Sequence, residues 1–162
     1  MGALRPLTLT SALGVLAPPF RAAVGTRAMS LAADDRLAIH ELLARYCRVI
    51  DFGLWDEFTS LFTTDCIVDF GELMGTHEGH EGVKRLGGMI GGTGLFMRHL
   101  VTNVIVERAE ADRADVFCYV LALTGSGPTG LMQTTGRYED EVVKRDGRWL
   151  LRRRRAVIET GR

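Results

Sequence analysis

Net charge is the first thing this sequence lacks. Its 162 residues carry 20 Lys and Arg against 20 Asp and Glu. A balanced chain has no electrostatic footprint for nucleic acid, and it gives no reason to expect an anionic membrane surface as partner. Cysteine is nearly as scarce. Cys47, Cys66 and Cys118 are odd in number and widely spaced, with no CxxC and no zinc spacing, so no metal site is expected from them. Cys47 and Cys118 sit in apolar patterns, and the three read as buried free thiols of a reducing compartment. No apolar run is long enough to span a bilayer: Leu7 to Phe20 is broken by Thr, Ser, Gly and two prolines. A phosphate cradle is missing too. The glycines between Gly87 and Gly94 follow no strand, precede no helix and lack a Lys-Ser/Thr step. Their density suits a mobile loop or lid instead.

Acid is absent from residues 1–33, where Arg5, Arg21 and Arg27 are the only charges. Such a composition fits a transit peptide. A secretory signal with a weak positive start is a second reading. A start assigned too early is a third, with Met29 opening a chain Met-Ser-Leu-Ala-Ala-Asp-Asp. Residues 1–32 are taken as a disordered or non-native extension, and residues 33–162 as one domain with length enough for a sizeable core. The expected location is the cytoplasm, or an organelle if residues 1–28 are a transit peptide.

What is present begins at Ala33. The pattern is helical to about Ile50, with Asp34 or Asp35 available as N-cap and Gly53 as the break. Ile39, Leu42, Leu43, Tyr46, Cys47 and Ile50 recur at three- and four-residue steps, the mark of one helical face. Asp51, four past Cys47, continues that stripe. Burial and the negative end of the helix dipole both work against a carboxylate there. Asp before a turn is also an ordinary helix-ending residue, and Tyr46 alone reads as a core tyrosine.

Leu54 to Phe62 reads as a short second helix, Thr63-Thr64-Asp65 as a turn, and Cys66 to Phe70 as a strand paired with Met74 to Glu78. A third helix runs from Val83 to about Ile90. Four long strands follow, over 96–107, 115–123, 129–143 and 148–158, with turns at Ser126-Gly127-Pro128 and Lys144-Arg145-Asp146-Gly147. Arg152 to Arg155 lie in the last strand, so their side chains should alternate between faces. Helices first and antiparallel strands after give an α+β class. A curved, mostly antiparallel sheet wrapped around about three N-terminal helices would leave an apolar pocket between them.

His99 lies on the first long strand. Alternation puts it on one face with Met97, Val101, Asn103 and Ile105. If that face is the one towards the first helix, His99 and Asp51 meet, and an Asp–His pair is a general base with its orienting carboxylate. Asn103 could offer an amide to a substrate or make a structural hydrogen bond. Arg137 and Tyr138 fall on opposite strand faces, and either could reach the pocket. His77, Glu78, His80 and Glu81 form a crowded cluster, but the glycine between them splays the side chains, and loop polarity is the simpler account. Asp69 is a minor candidate.

Several segments resemble the SnoaL-like group of the nuclear transport factor 2-like superfamily, an α+β cone. They are Arg-Tyr-Cys-Arg-Val-Ile-Asp-Phe-Gly-Leu-Trp-Asp-Glu (45–57), Leu61-Phe62-Thr63-Thr64-Asp65, Arg98-His99-Leu100-Val101-Thr102-Asn103, and Gly136 to Glu141 followed by Arg145-Asp146-Gly147-Arg148-Trp149. The likeness covers Asp34 to Glu159. It is strongest to the bile acid 7α-dehydratase, scytalone dehydratase and hexachlorocyclohexane dehydrochlorinase group. The resemblance implies a cofactor-free lyase or isomerase acting on a small, mostly apolar cyclic substrate. His99 would be the base, Asp51 would orient it, and Tyr46 would hydrogen-bond a carbonyl or leaving oxygen. Val101, Asn103, Tyr138 and Trp55 would line the substrate, with Trp55 also packing the cone floor. The superfamily equally implies an alternative, a non-catalytic ligand-binding or assembly subunit like the small subunit of ring-hydroxylating dioxygenases. A homodimer or homotrimer is expected, joined through the outer sheet face.

Overall fold

The computed structural model describes residues 31–127 and 129–159. The readings made of residues 1–30 and of Pro128 lie outside the described residues. Three helices come first: α1 (Ala33–Phe52), α2 (Trp55–Phe58), continued as a single 3₁₀ turn over Thr59–Leu61, and, after two strands, α3 (Gly79–Gly92). The strands are β1 (Phe62–Asp69), β2 (Thr76–Glu78), β3 (Phe96–Ala109), β4 (Arg113–Gly125), β5 (Met132–Arg145) and β6 (Arg148–Glu159). They form one curved, unclosed sheet in the order β2-β1-β6-β5-β4-β3. Every pairing is antiparallel except β1 with β6. This is the α+β cone architecture. No helix of the described residues is long and apolar enough to cross a membrane.

The apolar stripe of α1 is buried as its spacing requires, with Ile39, Leu42, Leu43, Tyr46, Cys47, Val49 and Ile50 all in the core. Neither Asp34 nor Asp35 caps the helix. Ala32 holds the cap position, and both acids lie in the first turn, where they suit the positive end of the dipole. Asp35 is occupied elsewhere: its Oδ1 accepts from Lys144 Nζ at 2.6 Å and from Trp149 Nε1 at 2.8 Å, tying the start of α1 to the β5–β6 hairpin. The far end stops as the glycine predicts. Gly53 sits at φ 63° and ψ 36°, its N–H reaches Ile50 O, and Leu54 N–H reaches Val49 O at 2.9 Å. That double bond pattern is a Schellman close, which a glycine makes without strain. It fixes Asp51 in the last turn.

The segment expected to be a turn at Thr63-Thr64-Asp65 is instead the first half of β1. The glycine-rich segment is not a loop either: Gly87, Gly88, Gly91 and Gly92 belong to α3. Two of them are small because an indole lies against them. A Cβ on Gly91 would stand 2.8 Å from Trp55 Nε1, and one on Gly87 would stand 3.2 Å from Trp55 Cε3 and from Phe58 Cδ1. Gly88 faces open space. The two positions therefore give opposite outcomes. Gly91→Ala forces a rigid ring to move and is expected to cost about 1–3 kcal/mol. Gly88→Ala keeps the packing and is expected to gain up to about 1 kcal/mol from helix propensity and unfolded-chain entropy. Thermal unfolding of the two variants separates them by sign.

Two β-bulges set which side chains enter the cone. In β3, Thr102 pairs with Tyr119 but Ile105 pairs with Phe117, so Asn103 and Val104 together oppose Cys118. Asn103 takes φ 53° to make the kink. Inward residues are thus Met97 and Val101 before the kink, and Val104 and Val106 after it. In β6, Glu141 pairs with Arg153 while Val142 pairs with Leu151, which leaves Arg152 as the extra residue. Arg152 and Arg153 are both exposed, and Arg154 turns inward. Strict alternation along Arg152 to Arg155 therefore fails at the bulge.

Candidate active site

Asp51 and His99 come from the last turn of α1 and the start of β3, and they meet. His99 Nδ1 lies 2.6 Å from Asp51 Oδ1, and the backbone N–H of His99 donates to Asp51 Oδ2 at 3.0 Å. Both carboxylate oxygens are therefore spent on one residue, which fixes the imidazole's position and its tautomer, with the proton on Nδ1. The side chains are 12% and 7% exposed. Arg98 supports the pair from the side. Its Nη1 donates to Asp51 O at 3.3 Å, and its guanidinium sits 4.7 Å from the Phe52 ring and 4.4 Å from the Phe96 ring. A cation at the carboxyl end of α1 offsets the dipole that works against Asp51.

The pair opens on a groove of about 590 Å³ between α1 and β3, the edge strand of the sheet. That is a volume of the ordinary small-molecule range, roughly 300–1,000 Å³. Leu43, Ala44, Cys47, Phe52, Leu100, Val101 and Val104 give it mostly apolar walls, and His40, Arg48 and Thr102 are its other polar lining beside the pair. No described residue hydrogen-bonds Nε2 of His99. That nitrogen is left with its lone pair for a ligand in the groove, which is the geometry of a general base. Burial pushes the Cys47 thiol up to about 11. The sulfur at the groove wall is thus a protonated, apolar surface near neutral pH and no nucleophile.

Of the other candidates, one lines the groove and the rest fall elsewhere. Val101 lines the groove. Asn103, on its bulge, is exposed and off the His99 face, so the shared face expected for it and for Ile105 is corrected. Tyr46 does not line the groove. Five residues before Asp51, it points about 140° away around the helix, into an aromatic layer with Phe58 at 5.8 Å, Tyr138 at 5.9 Å and Phe62 at 6.1 Å between ring centroids. Burial raises the pKa of its phenol. Tyr138 is the inward member of its strand pair and is buried in the same layer, while Arg137 faces outward and pairs with Glu139 and Glu159. Trp55 packs on α3 and on Phe58, away from the groove.

His77 and His80 are held by separate backbone carbonyls, Met74 O at 2.9 Å and Phe62 O at 3.1 Å. Asp69 closes the β1–β2 turn through Gly71 N and Thr76 Oγ1. Among the described residues no group of three or more His, Cys, Asp or Glu is placed to hold a metal ion.

One feature of the interior escaped the sequence reading. Arg154 is wholly buried. It makes a two-pronged pair with Asp140, Nε to Oδ1 at 2.9 Å and Nη2 to Oδ2 at 2.6 Å. Its guanidinium lies flat between Tyr46 and Tyr138, 3.9 and 4.0 Å from their ring centroids. Burial works against its charge, but Asp140 and the two tyrosines outweigh it and hold the guanidinium pKa well above the ordinary value. Burial lifts the Asp140 carboxyl above its usual range. Arg154 Nη1 and Tyr46 Oη have no partner at hydrogen-bond geometry among the described residues, and the cation lies over the Tyr46 ring. Asp140 and Arg154 are recognisable as a pair only once the bulge at Arg152 is known.

Comparison with solved structures places this geometry among known folds. A provisionally assigned scytalone dehydratase from Novosphingobium aromaticivorans DSM 12444 is 26% identical, with 78% of this chain and 85% of that chain covered and a TM-score of 0.69. LinA is 25% identical, with 78% and 87% covered and a TM-score of 0.70. The beta subunit of a provisionally assigned aromatic-ring-hydroxylating dioxygenase from the same Novosphingobium strain is 17% identical, with 80% and 92% covered and a TM-score of 0.70, and shows the fold alone. No curated protein matches the chain. The model of the SnoaL-like domain matches residues 32–155, nearly everything from the start of α1 to the last strand, and the chain belongs to that family.

Proposed function

We propose that the groove between α1 and β3 is the active site of a cofactor-independent lyase or isomerase acting on a small, mostly apolar cyclic substrate. The observation that carries the reading is the 2.6 Å Asp51–His99 hydrogen bond at the wall of a mainly apolar groove. In the elimination form, Nε2 of His99 takes a proton from the carbon beside a carbonyl. The C–H electron pair becomes the new double bond as the C–O bond to the leaving hydroxyl breaks. The imidazolium returns its proton to the departing oxygen, and water leaves. Asp51 keeps Nδ1–H in place and stabilises the imidazolium while it exists. In the isomerase form the proton returns to a different carbon. Tyr46 is left out of the reacting set, because its hydroxyl is buried away from the groove. The likeness to a provisionally assigned scytalone dehydratase at about one quarter identity supports this choice of chemistry.

A screen of cyclic β-hydroxy ketones, followed by the ultraviolet absorbance of the conjugated product, tests it. The wild-type protein should turn over at least one, and folded His99→Ala should lose that turnover by about 10²–10⁴-fold, the usual worth of a general base. Retained turnover in folded His99→Ala rejects the reading.

A second reading is the non-catalytic ligand-binding or assembly subunit. The observation in its favour is the apolar outer face of β3 and β4, where Ile105 and Tyr119 are 52% and 48% exposed. The fold of the dioxygenase beta subunit is compatible with it. A large partner chain co-purifying at fixed stoichiometry would favour this reading. The chain alone as a homodimer or homotrimer would favour the lyase.

A further inference from the structure

The groove contains a cation that has no ion pair among the described residues. Arg48 lines it, one turn of α1 before Asp51. Several arginines of the described surface are in ion pairs, among them Arg45 with Glu41, Arg113 with Glu141, Arg137 with Glu139, Arg152 with Asp65, and Arg155 with Glu139, while Arg36, Arg85, Arg148 and Arg153 are in none but line no part of the groove. Arg48 has neither an ion pair nor a hydrogen bond among the described residues. Asp51, three residues on, makes its side-chain hydrogen bonds to His99 and none to Arg48. Asp51 is also the single carboxylate on the groove wall, and the remaining ionisable lining, His40, is a potential cation. Arg98 already neutralises the carboxyl end of the helix. The groove thus presents an apolar slot with one uncommitted guanidinium beside the base.

We infer that the ligand of this groove is an apolar ring compound carrying a carboxylate, and that Arg48 is the residue that selects it. The inference rests on the groove being the ligand site. A guanidinium offers two parallel donors matched to the two oxygens of a carboxylate, which a lysine or an amide cannot reproduce. Arg48 and His99 line the same groove, so a ring lying in it can present a carboxylate to one and a C–H bond to the other. Leu43, Cys47 and Val101 supply apolar surface for that ring. The chemistry fixes an order of preference: acid over amide or ester of the same shape, with the preference shrinking as salt is added, because Arg48 is exposed.

The test uses 2-naphthoate and 2-naphthamide, which share shape and differ in charge, titrated calorimetrically into the intact wild-type protein, Arg48→Gln, Arg48→Lys and His99→Ala. Wild type should bind naphthoate about 10-fold or more tightly than naphthamide, the low end for a charge-assisted contact in a groove open to water. Arg48→Gln should bring the two affinities together by weakening naphthoate alone, and Arg48→Lys should keep only part of the preference. His99→Ala should retain it, so loss of turnover in that variant judges the lyase reading separately. Equal affinities in wild type, no measurable naphthoate binding, or an acid preference that survives Arg48→Gln overturns the inference.

Discussion

Asp140→Ala is expected to cost about 3–5 kcal/mol of stability, enough to bring a domain of ordinary stability, roughly 5–15 kcal/mol, close to unfolding. The cost does not come from losing an attraction. Arg154 is buried on every side, and its other contacts are the faces of Tyr46 and Tyr138. Without Asp140 its charge stays in the interior with no anion, and Nη1, already unpartnered, is joined by Nε and Nη2. Removing both partners should be far milder. The double variant Asp140→Leu with Arg154→Met deletes the stranded charge, and such replacements are often neutral or stabilising. Urea unfolding of the single and double variants checks this. A single-variant loss below about 1 kcal/mol, or a double variant as weak as the single, would show that the pair does not hold the interior as described.

Asp51→Asn is expected to lower turnover by about 10⁴-fold while the fold survives, the magnitude known for the same change in Ser-His-Asp triads. The argument lies in the two oxygens. Asp51 accepts from both Nδ1–H and the backbone N–H of His99. Asparagine has one acceptor and one donor. If its oxygen keeps the backbone N–H, which has no other use, its amide presents hydrogens to Nδ1. The imidazole then carries its proton on Nε2, the nitrogen that must be bare to act as base. The ring stays in place with the wrong tautomer. Turnover of any substrate found by screening, compared with the melting temperature of the variant, separates this from simple unfolding. Activity within 10-fold of wild type would remove the orienting role assigned to Asp51.

The amphipathic stripe of α1, its glycine stop and the long strands were all legible, because each rests on a local period that tertiary packing reinforced. The juxtaposition of Asp51 and His99 was legible for the same reason: one ends a helical stripe and the other lies on a strand ahead of any irregularity. Asn103 and Arg154 were not. Asn103 sits in a bulge and Arg154 just past one, and one extra residue reverses every later position on a strand whose period is two. Asn103 makes its own bulge by taking a left-handed backbone conformation, which asparagine tolerates better than most residues. Arg152 gives no comparable local sign. Tyr46 was misplaced by a different error: it belongs to the same apolar stripe as Cys47, but a stripe more than 100° wide has two sides, and only one of them faces the groove. The glycine-rich end of α3 reads as a loop because composition cannot show that Trp55 fills the space that side chains at Gly87 and Gly91 would occupy.

The most direct measurement of the central claim needs no substrate. Long-range ¹H–¹⁵N correlation of the imidazoles, with His99 assigned by its absence in His99→Ala, reports which ring nitrogen carries the proton. At about pH 8.5, where an ordinary imidazole is neutral, His99 should show a protonated Nδ1 and a bare Nε2, and Asp51→Asn should reverse them. A protonated Nε2 in the wild-type protein, or a tautomer indifferent to Asp51→Asn, would contradict the account of His99 as a base held by Asp51.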